Sequence, residues 1–132
     1  MAIDRGAAAT LRSPLGRVRG LGSARGGTHH WWVQRVTSIA LLPLTIWFVL
    51  SAASLAGAGY VEAVAWIGRP WNAILLLCAI GVSFYHTALG LQVVIEDYVN
   101  QDWLKVGGIL ATRAICWLLG IAAALAVLRI AV

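Results

Sequence analysis

Charged residues are scarce in this chain. Of its 132 residues only ten are basic and five acidic, whereas 61% are hydrophobic and the mean hydropathy is +0.83. Soluble globular domains carry about 25% charged residues, so the composition excludes that class and indicates an integral membrane protein. Cysteine is also rare, because Cys78 and Cys116 stand alone without CxxC spacing. We therefore expect both thiols to serve packing rather than metal binding.

Charge is missing from two long intervals. Residues 36–61 and 70–95 contain no Asp, Glu, Lys or Arg, and each exceeds the roughly 20 residues that cross about 30 Å of hydrocarbon. A third interval, 106–128, is interrupted only by Arg113, which we expect to snorkel toward the headgroups unless it faces protein. The apolar runs are continuous rather than alternating, which argues against a transmembrane β-barrel.

The sequence therefore predicts an all-α membrane protein with three transmembrane helices, at about 30–56, 70–99 and 104–129. A basic N-terminal segment, residues 1–28, precedes a single three-helix domain, residues 29–132. Thr28 is a plausible N-cap of the first helix. The short polar connector that follows the second helix predicts that helices two and three are antiparallel neighbours.

The basic residues predict the orientation of the chain. Six arginines precede or open the first span, so the N-terminus is expected to be cytoplasmic. Asp97 and Tyr98 then lie on the same side. This arginine-rich, acid-poor segment also fits a mitochondrial transit peptide, but we expect a bacterial inner membrane. Because no aromatics are interleaved with the arginines, the basic segment is expected to meet anionic headgroups or a protein rather than nucleic acid.

The most informative feature is an ionisable residue inside the second span. Eleven residues of α-helix turn through about 1100° and rise about 16 Å, so His86 and Asp97 share one face. The stripe of α-helix that contains both residues is made of small or polar residues: Ala79, Ser83, His86, Gly90, Val93 and Asp97. Such a stripe fits either a flat cofactor, with His86 as a haem ligand, or a helix–helix contact in which His86 is hydrogen-bonded.

The remaining candidates lie nearer the membrane surface. Tyr98 fits a donor to a quinone carbonyl or a residue of the aromatic belt. Arg35, placed at a depth comparable with Asp97, fits a haem propionate or a lipid phosphate. The other two histidines, His29 and His30, are expected about three helical turns from His86, so a second axial ligand has to come from another polypeptide.

Two runs resemble a known family. His86 followed eleven and twelve positions later by Asp97 and Tyr98, within HTALGLQVVIEDYV, resembles the D-type hydrophobic membrane anchor of succinate dehydrogenase (respiratory complex II). The run SPLGRVRGLGSARGGTHHWWVQRVTS is similar to the start of that subunit in alphaproteobacteria. Length, span number and orientation agree over nearly the whole chain.

The resemblance implies specific roles for these residues. It implies that His86 is one axial ligand of haem b, the other coming from a C-type anchor subunit that packs with this chain into one helical bundle. Tyr98 would donate to a ubiquinone carbonyl, with Asp97 supporting the site, while Arg35 and His29 would lie near the haem propionates. Electrons would come from succinate through a flavoprotein and an iron–sulfur subunit, since this chain has no nucleotide fingerprint and no cysteine cluster.

Two other functions are compatible with the residues alone. One is an anchor or assembly subunit without a redox part, in which His86 fills a helix interface. The other is a small transporter or channel subunit that uses His86 and Asp97 as a proton relay.

Overall fold

A computed structural model describes residues 25–132, so the predicted basic segment lies almost wholly outside the described residues. The described part of the chain forms four helices: α1 (Arg25–Ser54), α2 (Tyr60–Ile67), α3 (Pro70–Tyr98) and α4 (Asp102–Ala131). Three of them, α1, α3 and α4, are long and apolar enough to cross a membrane. The prediction of an all-α protein with three membrane-spanning helices is confirmed.

Helix α1 begins earlier than the sequence indicated. It is already helical at Arg25, so Thr28 lies inside the helix and the prediction that it is the N-cap is wrong. The helix ends at Ser54, and Gly57 follows with φ +86°. A side chain is strained in that left-handed conformation, which explains why the turn after α1 uses glycine.

Helix α2 was not predicted, because its eight residues are too few for a clear helical period. Its Trp66 ring stacks on Trp47 of α1 with the centroids 5.6 Å apart. The Asn72 side-chain amide, in the first turn of α3, donates to the Trp66 carbonyl oxygen over 2.7 Å. These contacts fix the segment between α1 and α3.

Helices α3 and α4 are antiparallel neighbours, as the short connector predicted. Two glycines of α4 let the helices approach closely. Gly108 lies against Ile95, and a Cβ added at Gly120 would be 3.4 Å from three atoms of the Phe84 side chain. Small residues at such crossings allow tight packing where lipid offers no hydrophobic drive.

Helix α3 is the centre of the unit. Helix α1 packs against α3, but no Cα atom of α1 comes within 8 Å of α4, so the three long helices form an open layer. Only six of the described residues are buried: Ala73, Leu76, Ala88, Leu89, Cys116 and Val127. Most of the apolar surface is left for lipid or for helices of another chain.

The helical layer has two ends. The end at which α1 begins, α3 ends and α4 begins is called the polar end.

Candidate functional site

His86 is half-buried between α1 and α3, and its two ring nitrogens have different surroundings. Its Nδ1 lies 2.8 Å from the Thr37 hydroxyl oxygen. Its Nε2 lies 3.4 Å from the Gln34 side-chain nitrogen, a distance at the long limit for a hydrogen bond. The ring is thus held firmly on one side and only loosely on the other.

Gly90 provides the room for this arrangement. It lies one turn beyond His86, and an added Cβ would be 3.4 Å from the Gln34 side-chain nitrogen. Without a side chain at residue 90 the amide of Gln34 can enter the space between the helices. Gly90 therefore belongs to the site through its size, as the small-residue stripe suggested.

Helix α1 contributes a polar stripe that sequence reasoning missed. His30, Gln34 and Thr37 follow one another at four- and three-residue spacing and share one face of the helix. All three side chains are half-buried. The signal was present in the sequence as three polar residues, His30, Gln34 and Thr37, at helical spacing in the first span.

Two buried polar atoms of this stripe have no hydrogen-bond partner among the described residues. They are the Gln34 side-chain oxygen and the His30 Nε2 atom. A buried polar group without a hydrogen-bond partner lowers the free energy of unfolding by roughly 1–3 kcal/mol. Such atoms are therefore rare in the cores of native proteins. The stripe has spare hydrogen-bonding capacity beside the His86 ring.

The depths of two candidates differ from the sequence-based expectation. Along the helix axis, His86 lies at the same depth as Gln34 and Thr37, its two contacts on α1. These residues follow His30 by four and seven positions, which is about 6 to 10 Å of helix rise. The expected separation of three helical turns is therefore wrong. Arg35 follows Gln34, which lies beside His86 and Gly90. The depth of Arg35 therefore matches that of His86 rather than that of Asp97.

Arg35 and His29 occupy different positions around α1. The Arg35 side chain is exposed and its guanidinium lies 4.8 Å from the centroid of the Trp31 ring, a cation–π distance. His29 is exposed, and five residues of helix place it about 140° around the axis from Gln34. The structure brings Arg35 to the level of the histidine but leaves His29 on another face.

Asp97 and Tyr98 lie at the polar end, in the last turn of α3. Both are exposed, and the Tyr98 side chain is 82% accessible. They are on the same helix as His86 but about 16 Å farther along it. The structure therefore separates two places, a histidine site between the helices and an acid–phenol pair at the end of α3.

The Arg113 side chain contacts α3, which is the alternative to snorkelling that the sequence left open. Its Nη2 donates to the Gln92 side-chain oxygen over 2.6 Å, and the Gln92 nitrogen donates to a Glu96 carboxylate oxygen over 2.7 Å. This polar ladder links α4 to the last two turns of α3. The guanidinium contacts protein because the Gln92 amide accepts its hydrogen bond. The same amide donates to the Glu96 carboxylate.

A cavity lies between α3 and α4, along the line where the two helices pack. Its volume is about 210 Å³ and its walls are almost wholly apolar, with Phe84, Tyr85, Cys116 and Trp117 among them. His86 does not line it, because that ring points to α1. The cavity is therefore separate from the histidine site, and Cys116 packs there as the sequence suggested.

The described residues hold no group of three or more His, Cys, Asp or Glu side chains that could bind a metal ion.

Comparison with known proteins gives a consistent result. Residues 9–128 match the family of succinate dehydrogenase/fumarate reductase transmembrane subunits. The chain is 36% identical over 104 residues to the succinate dehydrogenase hydrophobic membrane anchor subunit of Rickettsia bellii, covering 78% of this chain and 82% of that protein.

Other curated proteins with the same name are similar to a comparable extent. The subunit of Rickettsia conorii is 31% identical, with 80% of this chain and 85% of that protein covered. The subunit of Paracoccus denitrificans is 32% identical, with 70% and 72% covered. No solved structure matches the chain significantly.

Proposed function

The chain belongs to the succinate dehydrogenase/fumarate reductase transmembrane subunit family, and from this membership we propose that it anchors a succinate:quinone oxidoreductase in the membrane, supplies half of a haem b site and forms part of the ubiquinone site. The dehydrogenase chemistry belongs to other chains. The observation that carries the redox part is His86, whose Nε2 has only one long contact with a protein group.

The residues around His86 fit a haem ligand. The Thr37 hydroxyl at Nδ1 leaves Nε2 as the nitrogen for iron, and ligating histidines usually bind a second group through the other nitrogen. Two nearby polar atoms, the Gln34 side-chain oxygen and His30 Nε2, have no partner among the described residues. Of the two, only a protonated His30 Nε2 can donate to a carboxylate such as a haem propionate, because the Gln34 oxygen only accepts. When bound, haem b would carry single electrons within the membrane.

Arg35 is the cation best placed to pair with a haem propionate. Its guanidinium lies beside the level of His86 and is accessible, and arginine binds carboxylates in a bidentate geometry. Trp31 supports the guanidinium from one side. His29 lies on another face of α1, so the proposal for His29 depends on the family resemblance alone.

Tyr98 and Asp97 are proposed to serve the quinone. A phenol donates a hydrogen bond to a quinone carbonyl, and the exposed carboxylate of Asp97 orients a cationic group beside it. Protons for quinone reduction come from water, and both side chains are exposed at the polar end. The support for both roles is the position of the two side chains. Among the described hydrogen bonds, none joins the ladder of Arg113, Gln92 and Glu96 to Asp97 or Tyr98.

The partners follow from the same proposal. A C-type anchor subunit would supply the second axial histidine and cover the open layer, while an iron–sulfur subunit and a flavoprotein subunit would sit over the polar end. With the basic segment on the cytoplasmic side, the polar end faces the cytoplasm, and the membrane is the bacterial inner membrane.

A second candidate function is a non-redox anchor. It is favoured by the hydrogen bond between Thr37 and His86, which also serves as a clamp between α1 and α3. The proton-relay hypothesis has less support, because the described hydrogen bonds of His86 lead to α1 rather than along α3 toward Asp97.

A reduced-minus-oxidised absorbance spectrum of the purified complex separates the two candidates. We expect a b-type signal in the wild type that is lost in His86→Ala and kept in Thr87→Ala, a matched change of an exposed neighbour on α3. A spectrum that is unchanged in His86→Ala, in a complex that still contains all subunits, would leave only the anchor function.

A further inference from the structure

We propose that Thr37 is a positioning residue for the haem ligand: its hydroxyl oxygen accepts the Nδ1 proton of His86 and thereby reserves Nε2 for iron. This inference rests on the proposed haem function and adds a residue of α1 that the sequence did not identify as a contact of the histidine ring.

The direction of the bond follows from the protons available around the Thr37 hydroxyl. Its oxygen lies 2.8 Å from the Val33 carbonyl oxygen and 3.0 Å from the Gln34 carbonyl oxygen. Both carbonyls only accept, so the single hydroxyl proton is directed to them. The 2.8 Å contact with His86 Nδ1 is then attractive only if Nδ1 carries the proton.

The opposite assignment is unfavourable. If the hydroxyl donated to Nδ1, its oxygen would face two carbonyl oxygens at hydrogen-bond distance without a proton between them. A serine or threonine hydroxyl in a helix commonly donates to a carbonyl of the preceding turn. The neutral imidazole therefore carries its proton on Nδ1 and its lone pair on Nε2.

Thr37 is well suited to hold the ring in place. A β-branched side chain has few χ1 rotamers in a helix, and the bonds to the carbonyls of α1 fix the hydroxyl further. Groups that bond the far nitrogen of a ligating histidine orient the ring and raise its basicity. The electron density that His86 gives to the iron is thus set partly by the packing of α1 on α3.

Gln34 has a different role on the other side of the ring. Its amide nitrogen faces Nε2 at 3.4 Å and its oxygen has no partner, so this contact is weak and exchangeable. Thr37 holds the ring, while Gln34 fills the position that a stronger ligand would take.

The test is a redox titration of the haem in the purified complex. Thr37→Val has nearly the same shape and lacks the acceptor, so we expect the midpoint potential to rise, because a less basic imidazole stabilises oxidised iron less. Haem affinity should fall by about 10- to 100-fold. Thr37→Ser, which keeps the hydroxyl, should restore both values.

Thr45→Val is the matched control, because Thr45 is an exposed threonine of the same helix and its change should alter neither value. If Thr37→Val does not assemble, Thr37→Cys replaces it, since a thiol accepts a hydrogen bond only weakly. A rise in potential with Cys supports the inference.

An unchanged potential and haem content in Thr37→Val, or in Thr37→Cys, would overturn the role of Thr37 while leaving the haem function intact. A wild-type complex without b-type haem would overturn both proposals. The two failures are therefore distinguishable in one set of samples.

Discussion

At the scale of residues, the proposed haem function depends on the different contacts of the two ring nitrogens of His86. The sequence identified His86, because an ionisable side chain in a 26-residue uncharged interval is costly unless it has a function. It could not identify Thr37 or Gln34 as partners, since a contact between α1 and α3 depends on how the helices pack and not on spacing within one of them.

Gln34→Leu tests the exchangeable side of the ring. The change removes a buried amide oxygen without a partner and replaces it with an apolar side chain of similar size. We expect haem content to be unchanged and the thermal stability of the complex to be equal or slightly higher. Gln34→Glu, which puts a carboxylate in the same place, should lower stability; the reverse order of the two variants would contradict this description of the site.

Tyr98→Phe tests the proposed quinone contact. Loss of the phenolic hydrogen removes the donor but keeps the ring, so succinate-dependent quinone reduction should fall about tenfold or more. Reduction of a soluble dye by the dehydrogenase subunits should stay at the wild-type rate. Tyr60→Phe, at the opposite end of the unit and also exposed, is the control, and equal effects of both changes would remove Tyr98 from the site.

At the scale of elements, α3 is the one long helix of the described residues that packs against both of the other long helices, and it carries His86, Asp97 and Tyr98 of the proposed sites. The sequence predicted a helix at about 70–99 from Pro70 and from the polar connector that begins at Asn100, and α3 runs from Pro70 to Tyr98. Helix α2 and the early start of α1 were not predicted, because a short helix leaves little periodic signal and a glycine-rich start resembles a loop. The hydrogen bond of Arg113 could not be predicted from the sequence either, since Gln92 comes within its reach only where α3 and α4 cross.

The polar ladder predicts an order of stabilities. Gln92→Leu should destabilise the helix pair by about 1–3 kcal/mol, because Arg113 loses its hydrogen-bond acceptor in an apolar environment. Arg113→Leu should cost less, since Gln92 keeps its bond to Glu96. Denaturant titration of the subunit in detergent measures this, and a double variant less stable than Gln92→Leu alone would show that the ladder is not coupled in this way.

At the scale of the whole molecule, the three long helices of residues 25–132 form an open layer in which six residues are buried and most of the apolar surface is exposed. Hydropathy alone predicted the three spans, but it does not specify that α1 and α4 lie on different sides of α3. That arrangement follows from the glycine contacts of α4 and from the polar stripe of α1. It leaves broad faces that a second anchor subunit can cover, which is consistent with a site completed by another chain.

The open layer predicts dependence on a partner. Expressed without a C-type anchor subunit, the chain should be degraded several-fold faster in the membrane than when the two are produced together, as measured by pulse-chase labelling. Equal half-lives in the two conditions would indicate that this chain is stable by itself.

The central claim is that His86 presents Nε2 to a haem iron while Thr37 holds Nδ1. The most direct measurement is a density map of the purified complex at a resolution that shows side chains. We predict a porphyrin between this chain and its partner, with its iron bonded to His86 Nε2 and the Thr37 hydroxyl at Nδ1. A map in which the His86 ring contacts only Gln34, Thr37 and lipid would contradict it.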